Sequence, residues 1–278
     1  MTAGEAFRLA VLGSPIAHSQ SPALHRAAYE TLGLTWSYDA IEVTAETLAA
    51  FVGTRDAAWR GLSLTMPLKR DVLPLLDARS GLVQQTGSAN TVLFESGRVL
   101  GFNTDVYGIQ QAFARHGREA LATVLVLGGG ATAASAIVAA VRMAATRVFV
   151  AVRSPERAAT LVDIGRAQGV EVSVRSIGEV AQLDERLDAV ISTLPNGADV
   201  SVDFDRDTIR TATLFDVAYH PWPTPLAADW AGEGVIRGLE MLVLQALAQV
   251  RIFVAGDPDT ALPDEEAVLR AMLAAVAL

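Results

Sequence analysis

The feature that most constrains this chain is an apolar run that ends in a cluster of glycines and leads directly into a helix of small residues. Residues 122–130 read ATVLVLGGG, and residues 131–145 continue as ATAASAIVAAVRMAA. A second apolar run, TRVFVAVR, follows at residues 146–153. The order strand, glycine turn, helix, strand predicts a unit of parallel sheet that binds the phosphates of a dinucleotide at the turn.

The turn follows the pattern G-x-G-x-x-A, and each residue type in it has a physical reason. Gly128 permits the tight bend, Gly130 lets the backbone approach a pyrophosphate, and Ala133 lets the helix pack closely on the strand. The unpaired N–H groups at the helix start favour the same anion. A glycine turn that binds nothing is the alternative. The predicted cofactor contacts in the turn are Gly128, Gly129, Gly130, Ala131, Thr132 and Ala133.

The end of the second strand favours NADP over NAD. An NAD site places an acidic residue here, whereas this strand ends in Arg153 and is followed by Ser154 and Arg157. A guanidinium binds a 2′-phosphate through two charge-assisted hydrogen bonds. A surface arginine opening a helix is the alternative, and it is disfavoured because it would oppose the helix dipole. We therefore predict that these three residues bind NADP.

The composition excludes several classes of partner. With a formal net charge of −9, the chain offers no dominant basic surface for nucleic acid or an anionic membrane. It contains no cysteine, and its histidines and aspartates show no metal-ligand spacing, so we predict no metal site. The apolar segment 239–256 carries four polar residues and is expected to be a buried helix of a soluble protein. Residues 1–8 lack a signal-peptide pattern, which favours the cytoplasm.

The first third of the chain alternates short apolar runs with helical patterns. RLAVLG at Arg8–Gly13 predicts a strand, and the helix after it is expected to use Ser21 as its N-cap. GLSLTM at Gly61–Met66 predicts a buried strand. Repeated strand and helix segments of this kind predict a mostly parallel sheet.

These segments predict a two-lobed α/β fold. An N-terminal, mostly parallel α/β substrate domain is expected over residues 1–105, and the helices of residues 239–278 pack back on it. A Rossmann-type NADP-binding domain is expected over residues 106–238. The site for a small-molecule substrate is expected in the cleft between the two lobes. The protein is expected to be a monomer or a homodimer.

Four short sequence motifs outside the nucleotide turn are more informative in combination than singly. They are GSPIAHSQSPALH (Gly13–His25), GLSLTMPLK (Gly61–Lys69), GSANT followed by GFNTD (Gly87–Asp105), and GLEMLVLQA (Gly238–Ala246). Their order and spacing resemble the shikimate dehydrogenase family over nearly the whole chain. SLTMPLK, GSANT and YHPWPTPLA are similar to the actinobacterial branch of that family.

The resemblance implies roles for named residues. Ser19 and Ser21 resemble the serines that bind the substrate carboxylate, with helix capping as the alternative. Lys69 and Asp105 resemble the catalytic pair of the family. Such a pair fits the chemistry, since oxidation of a secondary alcohol requires a base for the hydroxyl proton. The residues implied to contact the substrate are Ser19, Ser21, Thr65, Lys69, Asn90, Asp105, Tyr219 and Gln245.

Two further cofactor contacts are implied by the resemblance, at Thr193 and Gly238. Thr193 lies in ISTLP, where many relatives carry an Asn-x-Thr string near the nicotinamide, so the contacts of this loop are expected to differ. The glycine turn also lacks an arginine that many relatives place near the adenosine phosphates. The resemblance therefore implies a larger share of phosphate binding for Arg153.

The implied activity is the reversible NADPH-dependent reduction of 3-dehydroshikimate to shikimate, a step of aromatic amino-acid biosynthesis. The alternatives are a quinate/shikimate or aminoshikimate dehydrogenase with relaxed cofactor use, a methylene-tetrahydrofolate dehydrogenase with the same two-lobe plan, and a catalytically silent NADP-binding paralogue. The serine pair disfavours the folate enzyme, and the presence of both Lys69 and Asp105 disfavours the silent paralogue.

Overall fold

The computed structural model describes residues 6–195, 197–198, 200, 202–230 and 234–278. The chain divides into two compact units. Unit one holds the described residues of Met1–Thr104 together with Leu242–Leu278, and unit two holds those of Asp105–Met241. Each unit is built around its own six-stranded sheet.

Unit one is an α/β domain with a mixed sheet. Its elements are β1 (Arg8–Gly13), α1 (Ser21–Thr31), β2 (Ser37–Glu42), α2 (Ala45–Gly53), β3 (Trp59–Leu64), β4 (Ala78–Arg79), α3 (Gly81–Thr86), β5 (Thr91–Glu95) and β6 (Arg98–Phe102). The strand order is β2-β1-β3-β5-β6-β4. The ladders β1–β2, β1–β3 and β4–β6 are parallel, while β5 runs antiparallel to both of its neighbours.

Strand β1, which lies between the edge strand β2 and β3, is buried on both faces, as expected for a strand with helices above and below it. Leu9 and Val11 pack into a core with α1 and the C-terminal helices. The alternate residues Ala10 and Leu12 pack into a second core with α2 and β3. The period-two pattern of this strand therefore fills two separate apolar layers.

Unit two is the doubly wound domain that the glycine turn predicted. Its elements are α4 (Asp105–Arg115), β7 (Thr123–Leu127), α5 (Ala131–Arg142), β8 (Arg147–Val152), α6 (Ala159–Ala167), β9 (Glu171–Ser176), β10 (Ala189–Ser192), α7 (Arg206–Thr211), β11 (Thr213–Asp216), α8 (Pro225–Asp229) and β12 (Val235–Arg237). All of its ladders are parallel, and the order β9-β8-β7-β10-β11-β12 is the 3-2-1-4-5-6 order of a Rossmann sheet.

Two helices close the chain, α9 (Gly238–Ala255) and α10 (Glu265–Ala275), and α10 packs against α1 in unit one. Among the described residues, α9 is the one helix long and apolar enough to cross a membrane. However, 72% of that 18-residue window is buried inside the fold, as predicted for a core helix.

Two local predictions are wrong. Ser21 is the first residue of α1 and Gln20 is its N-cap, so Ser21 does not cap the helix. The predicted strand at Gly61–Met66 is β3 (Trp59–Leu64) and ends at Leu64, because the chain leaves the sheet at Thr65 and turns at residues 66–70. The apolar Met66 side chain is 60% exposed as a result.

Candidate active site

The turn that carries Thr65 lies directly against the loop that follows β1. The Thr65 N–H donates to the Leu12 carbonyl at 2.9 Å. A Cβ atom at Gly13 would lie 2.5 Å from Thr65 Cγ2, which is closer than real Cβ contacts, so this approach requires glycine. The close packing joins Thr65 to the loop that leads to Ser19 and Ser21.

Lys69 is half-buried and lies in the same turn, which also makes backbone hydrogen bonds to the GSANT segment. Its carbonyl accepts a hydrogen bond from the Ala89 N–H at 2.8 Å, and the Leu64 N–H donates to the Asn90 carbonyl at 2.7 Å. The lysine turn is therefore bonded to the GSANT segment on both sides. Lys69 is also the only lysine among the 22 lysine and arginine residues of the sequence, which distinguishes it from every other basic side chain.

Asn90 is the centre of a buried amide network and is 1% exposed. Its Nδ2 donates to Thr104 Oγ1 at 2.8 Å and to Gln245 Oε1 at 3.2 Å. Its Oδ1 accepts from the Thr104 N–H at 2.9 Å and from the Thr91 hydroxyl at 2.8 Å. The Gln245 Nε2 donates to the Leu242 carbonyl at 2.8 Å. The structure thus brings together Asn90 and Gln245, which the resemblance assigned to the same substrate.

Asp105 is the first residue of α4 and is 3% exposed. It follows Thr104 directly in the chain. The residue before that, Asn103, donates through Nδ2 to Thr86 Oγ1 at 3.0 Å and to the Ser88 carbonyl at 3.1 Å. The NTD string is therefore anchored on the GSANT side of the sheet by buried polar contacts.

The predicted carboxylate serines lie at the start of α1. The Ser19 hydroxyl accepts from the Ser21 N–H at 3.3 Å, so Ser19 bonds the first amide of the helix. His25 Nδ1 lies 2.9 Å from the Ser21 carbonyl and donates to it, which leaves Nε2 without a hydrogen-bond partner among the described residues. The His25 ring stacks on Tyr38 at 3.9 Å between centroids, and burial lowers its pKa to about 4.

The glycine turn of unit two has the geometry that its sequence predicted. Gly128 has φ +107°, a conformation that residues with a side chain rarely adopt. A Cβ atom there would lie 2.5 Å from Thr193 Oγ1, whose own hydroxyl donates to the Leu127 carbonyl at 2.8 Å. Thr193 is therefore packed against the first glycine. A Cβ at Gly129 would lie 3.2 Å from Val152 Cγ1, at the end of the second strand.

The helix after the turn begins with free space and unbonded amides. A Cβ at Gly130 would meet no atom within 4 Å, and Gly130 provides no side-chain cap for α5. The first helical bond runs from the Ala134 N–H to the Gly130 carbonyl, so the N–H groups of Ala131, Thr132 and Ala133 precede it. Ala133 is fully buried, as the packing argument required.

The basic residues predicted to select NADP lie at the end of β8. Arg153 directly follows the strand and is exposed, as is Arg157 in the short helical turn 155–157. Ser154 lies between them and is half-buried. Neither arginine makes an ion pair with any residue in the part of the chain that the structure describes. Their charge is available to a ligand.

Tyr219 lies in a loop that Asp216 holds in place. The Asp216 carboxylate accepts from the Thr224 hydroxyl at 2.6 Å and from the Ala218 N–H at 3.2 Å. Burial raises the pKa of Asp216, and these hydrogen bonds act in the opposite direction. Burial also raises the pKa of the Tyr219 phenol. Asp216 is not among the predicted site residues, because its contacts with Ala218 and Thr224 form only in the folded loop.

Gly238 begins α9 and is buried. A Cβ atom at this position would overlap the Val217 carbonyl, so glycine is required for the helix to start beside β11. This packing explains the residue type. The implied cofactor contact at Gly238 stays a prediction.

Among the described residues, no three histidine, aspartate or glutamate side chains are grouped closely enough to hold a metal ion. The charged and polar groups gathered in unit one are instead an amide network, two serines and a single lysine. Unit two adds a glycine turn and the two exposed arginines that follow β8.

Comparison with known proteins decides the relationship. Residues 11–92 match the family described as shikimate dehydrogenase substrate binding domain. A shikimate dehydrogenase (NADP(+)) of Thermus thermophilus is 35% identical over 274 residues, which cover 95% of this chain and 98% of the relative. The chain belongs to the shikimate dehydrogenase family. The resemblance inferred from the four strings is confirmed.

Solved structures confirm the fold class of this family member. Shikimate dehydrogenase from Mycobacterium tuberculosis is 39% identical with a TM-score of 0.84, and the match covers 96% of this chain and 99% of that one. The Thermus thermophilus enzyme in complex with NADP(H) and shikimate is 30% identical with a TM-score of 0.78, covering 97% and 99%.

Proposed function

We propose that this enzyme catalyses the reversible NADPH-dependent reduction of 3-dehydroshikimate to shikimate, a step of aromatic amino-acid biosynthesis. Relatives that match most of the chain are named shikimate dehydrogenase (NADP(+)), and a solved relative was crystallised with both NADP(H) and shikimate. The working enzyme is proposed to be a monomer or homodimer in the cytoplasm.

One observation carries this proposal beyond the family relationship. In unit one, backbone and amide hydrogen bonds join the serine loop, the Thr65–Lys69 turn, the GSANT segment and α9. These segments are far apart in sequence, and each carries a residue predicted to contact one polyhydroxylated acid. A shared structural core does not require polar residues at all of these places.

The proposed chemistry divides the work between cofactor and protein. The bound nicotinamide supplies hydride in the reduction and accepts it in the oxidation. Lys69 is proposed to exchange the proton of the reacting hydroxyl, and Asp105 to hold that hydroxyl in line. A lysine in this role must alternate between its charged and neutral forms, as a general acid and base does.

The remaining polar groups of unit one are proposed to hold the substrate. Ser19 and Ser21 would bind the carboxylate at the start of α1, where helix amides favour an anion. The amides of Asn90 and Gln245 would bind the ring hydroxyls. Tyr219 is proposed to lie near the carboxylate.

The residues of unit two fit NADP. The open space at Gly130 and the amides that precede the first bond of α5 suit a pyrophosphate, because a negative group can approach the backbone there without a clash. Arg153, with Ser154 and Arg157, is proposed to bind the 2′-phosphate. Thr193 lies against Gly128 and is proposed to contact the cofactor from the neighbouring strand.

The experiment that tests this function is an initial-rate measurement of nicotinamide reduction with shikimate or quinate, each with NADP or NAD. We expect strong activity only with shikimate and NADP. Comparable rates with quinate or NAD would instead assign the enzyme to the quinate/shikimate group. A folded protein that binds NADP and is silent in all four reactions would contradict the proposal and indicate a paralogue without this activity.

A further inference from the structure

Gln249 lies one helical turn beyond Gln245 on α9, and its amide is 2% exposed. Its Nε2 donates to the Thr91 hydroxyl at 3.0 Å and to the Asn90 carbonyl at 3.2 Å. Its Oε1 accepts from the Ser63 hydroxyl at 2.8 Å. The neighbouring positions on the helix are apolar, so this amide is a polar insertion into a hydrophobic face.

The direction of the Gln249 amide is fixed by its surroundings. The Asn90 carbonyl can only accept, so the nitrogen of the Gln249 amide must face it and the oxygen must face Ser63. The Ser63 hydroxyl then donates to that oxygen and accepts from the Tyr38 phenol at 2.6 Å. The three side chains form a chain of hydrogen bonds with one permitted polarity.

This polarity continues to the candidate substrate residues. Because the Thr91 hydroxyl accepts from Gln249, its single proton is left to donate to Asn90 Oδ1. Asn90 therefore presents its Nδ2 to Thr104 and to Gln245 Oε1. The Thr104 N–H, which can only donate, and the Leu242 carbonyl, which can only accept, require the same orientations of Asn90 and Gln245. Gln249 therefore supports a network whose direction the backbone also fixes.

The Gln245 side-chain amide is the last of the series, and it uses only one of its two hydrogens. With its Oε1 bonded to Asn90, Gln245 directs Nε2 to the Leu242 carbonyl, which takes one of the two amide hydrogens. No acceptor for the second hydrogen exists among the residues that the structure describes. Gln245 is 7% exposed, compared with 1% for Asn90 and 2% for Gln249.

We infer that Gln249 is a positioning residue for substrate recognition: by bonding the Asn90 carbonyl and the Thr91 hydroxyl it holds the Asn90 amide in place and, through it, the Gln245 amide, so that a donor is aimed at a ring hydroxyl. The inference rests on the proposed function for the identity of the ligand. It differs from a purely structural role for Gln249, which would affect the stability of unit one and leave substrate affinity unchanged.

The test compares Gln249→Met with Val250→Ala. Methionine keeps the length and lack of branching of glutamine and removes both hydrogen-bonding groups. Val250 is the fully buried next residue of the same helix, and its truncation weakens the core without touching the amides. For Gln249→Met we expect a rise in KM for shikimate of about tenfold, the effect of one lost hydrogen bond, with kcat within about twofold and KM for NADP unchanged.

A wild-type KM for shikimate in Gln249→Met, or an equal rise in Val250→Ala, would overturn the inference. Tyr38→Phe provides a milder variant that keeps the glutamine and shortens the hydrogen-bond chain by its first donor. It should raise KM for shikimate about twofold, because Ser63 retains its own bond to Gln249.

A second readout does not depend on turnover. The side-chain amide signal of Asn90, identified by its loss in Asn90→Asp, can be followed by ¹⁵N NMR in the ligand-free protein. We expect it to move in Gln249→Met and to stay in place in Val250→Ala, and the reverse pattern would overturn the inference. A wild-type enzyme without activity would refute the proposed function, while this signal would still decide the role of Gln249.

Discussion

The proposed ligand sites of unit one and unit two differ in the groups that form them: mainly side chains in unit one and mainly backbone at the glycine turn of unit two. Eleven of the sixteen buried polar residues of the described chain belong to unit one, and most of them are joined in hydrogen-bond networks. Unit two has an all-parallel sheet with an apolar core, and the proposed pyrophosphate site at its glycine turn consists of backbone amides and glycines. A site made of side chains depends on their orientation, whereas a site made of backbone depends on the absence of side chains.

The difference has an energetic basis. A buried amide or hydroxyl without a partner costs about 1–3 kcal/mol, and the polar side chains around Asn90 offset this cost by bonding to one another. The glycine turn avoids that cost, because its amides lie at the surface of the helix end, where they can bind an anion. We therefore expect a substitution in unit one to change substrate affinity by displacing the side chains bonded to it. A substitution at the glycine turn of unit two should change NADP affinity only through the substituted residue itself.

The largest expected effect comes from the single lysine. Lys69→Arg keeps a positive charge but removes the base, since a guanidinium does not lose its proton in proteins. We expect kcat to fall by about 10²–10⁴-fold, the usual contribution of a general acid or base, with little change in the dissociation constant for NADP. Lys69→Met should lose at least as much. Turnover within tenfold of wild type in Lys69→Arg would show that the proton is handled elsewhere.

The next largest effect is a pH dependence of stability in unit one. Of the four histidines His25 alone is buried, and burial lowers its pKa from 6.5 to about 4. The folded state binds the proton less readily than the unfolded chain, so this stability is complete above pH 6.5 and is lost as the pH falls toward 4. The shift corresponds to roughly 3 kcal/mol in the free energy of unfolding.

His25→Phe keeps an aromatic ring against Tyr38 and removes the titration. Urea unfolding of both proteins from pH 7 to pH 4.5 should show the wild type losing stability more steeply than the variant. Parallel loss in both proteins would mean that other groups, not His25, cause the acid sensitivity.

A pair of glycines sharpens the comparison within unit two. In Gly128→Ala the new Cβ meets Thr193 at a φ of +107°, so we expect loss of stability by about 2–3 kcal/mol together with loss of NADP binding. In Gly130→Ala the Cβ meets nothing within the protein, and stability should be unchanged. The same Cβ would obstruct a pyrophosphate, so KM for NADP should rise by about 100-fold, or roughly 2.7 kcal/mol.

Thermal unfolding and NADP titration of both variants separate the two effects. Wild-type NADP binding in Gly130→Ala would exclude the phosphates from this turn. The loss of binding in Gly128→Ala would then be a consequence of misfolding alone.

The glycine turn could be predicted from the sequence because its requirement is local: a positive φ at Gly128 and a small residue at Ala133 are properties of neighbouring positions. The same holds for the strand ends that place Arg153. Gln249 could not be predicted in this way, since its partners Asn90 and Ser63 lie 159 and 186 residues away in the chain. Its role exists only once α9 lies on the sheet.

The two errors have the same origin. The pattern GLSLTM continues past Leu64 to Met66 and predicts a longer strand, but the chain leaves the sheet at Thr65 and turns at residues 66–70. Ser21 has the residue type of an N-cap, yet the helix starts one residue earlier and Ser21 is left with its hydroxyl in the first turn. The roles of the site residues stay predictions until they are measured.

The smallest expected effect concerns cofactor choice. Arg153 is exposed and makes no ion pair with a described residue, so Arg153→Ala should leave the fold intact. If its guanidinium binds the 2′-phosphate, KM for NADP should rise by about tenfold, or roughly 1.4 kcal/mol, because an exposed charge pair is partly screened by solvent. KM for NAD should not change, since NAD lacks that phosphate, and KM for shikimate should be that of the wild type.

Arg142→Ala is the matched control. Arg142 is an exposed arginine in the last turn of α5, at the opposite end of the helix from the glycine turn, about 17 Å away along the axis. Removing it lowers the net charge of unit two by the same amount without changing the proposed phosphate site. If both variants weaken NADP equally, the effect is one of general charge. If only Arg153→Ala does so and NAD is affected to the same degree, the arginine contacts a part common to both cofactors. Only a selective loss with NADP would assign the 2′-phosphate to Arg153 and show that side chains as well as backbone recognise the cofactor in unit two.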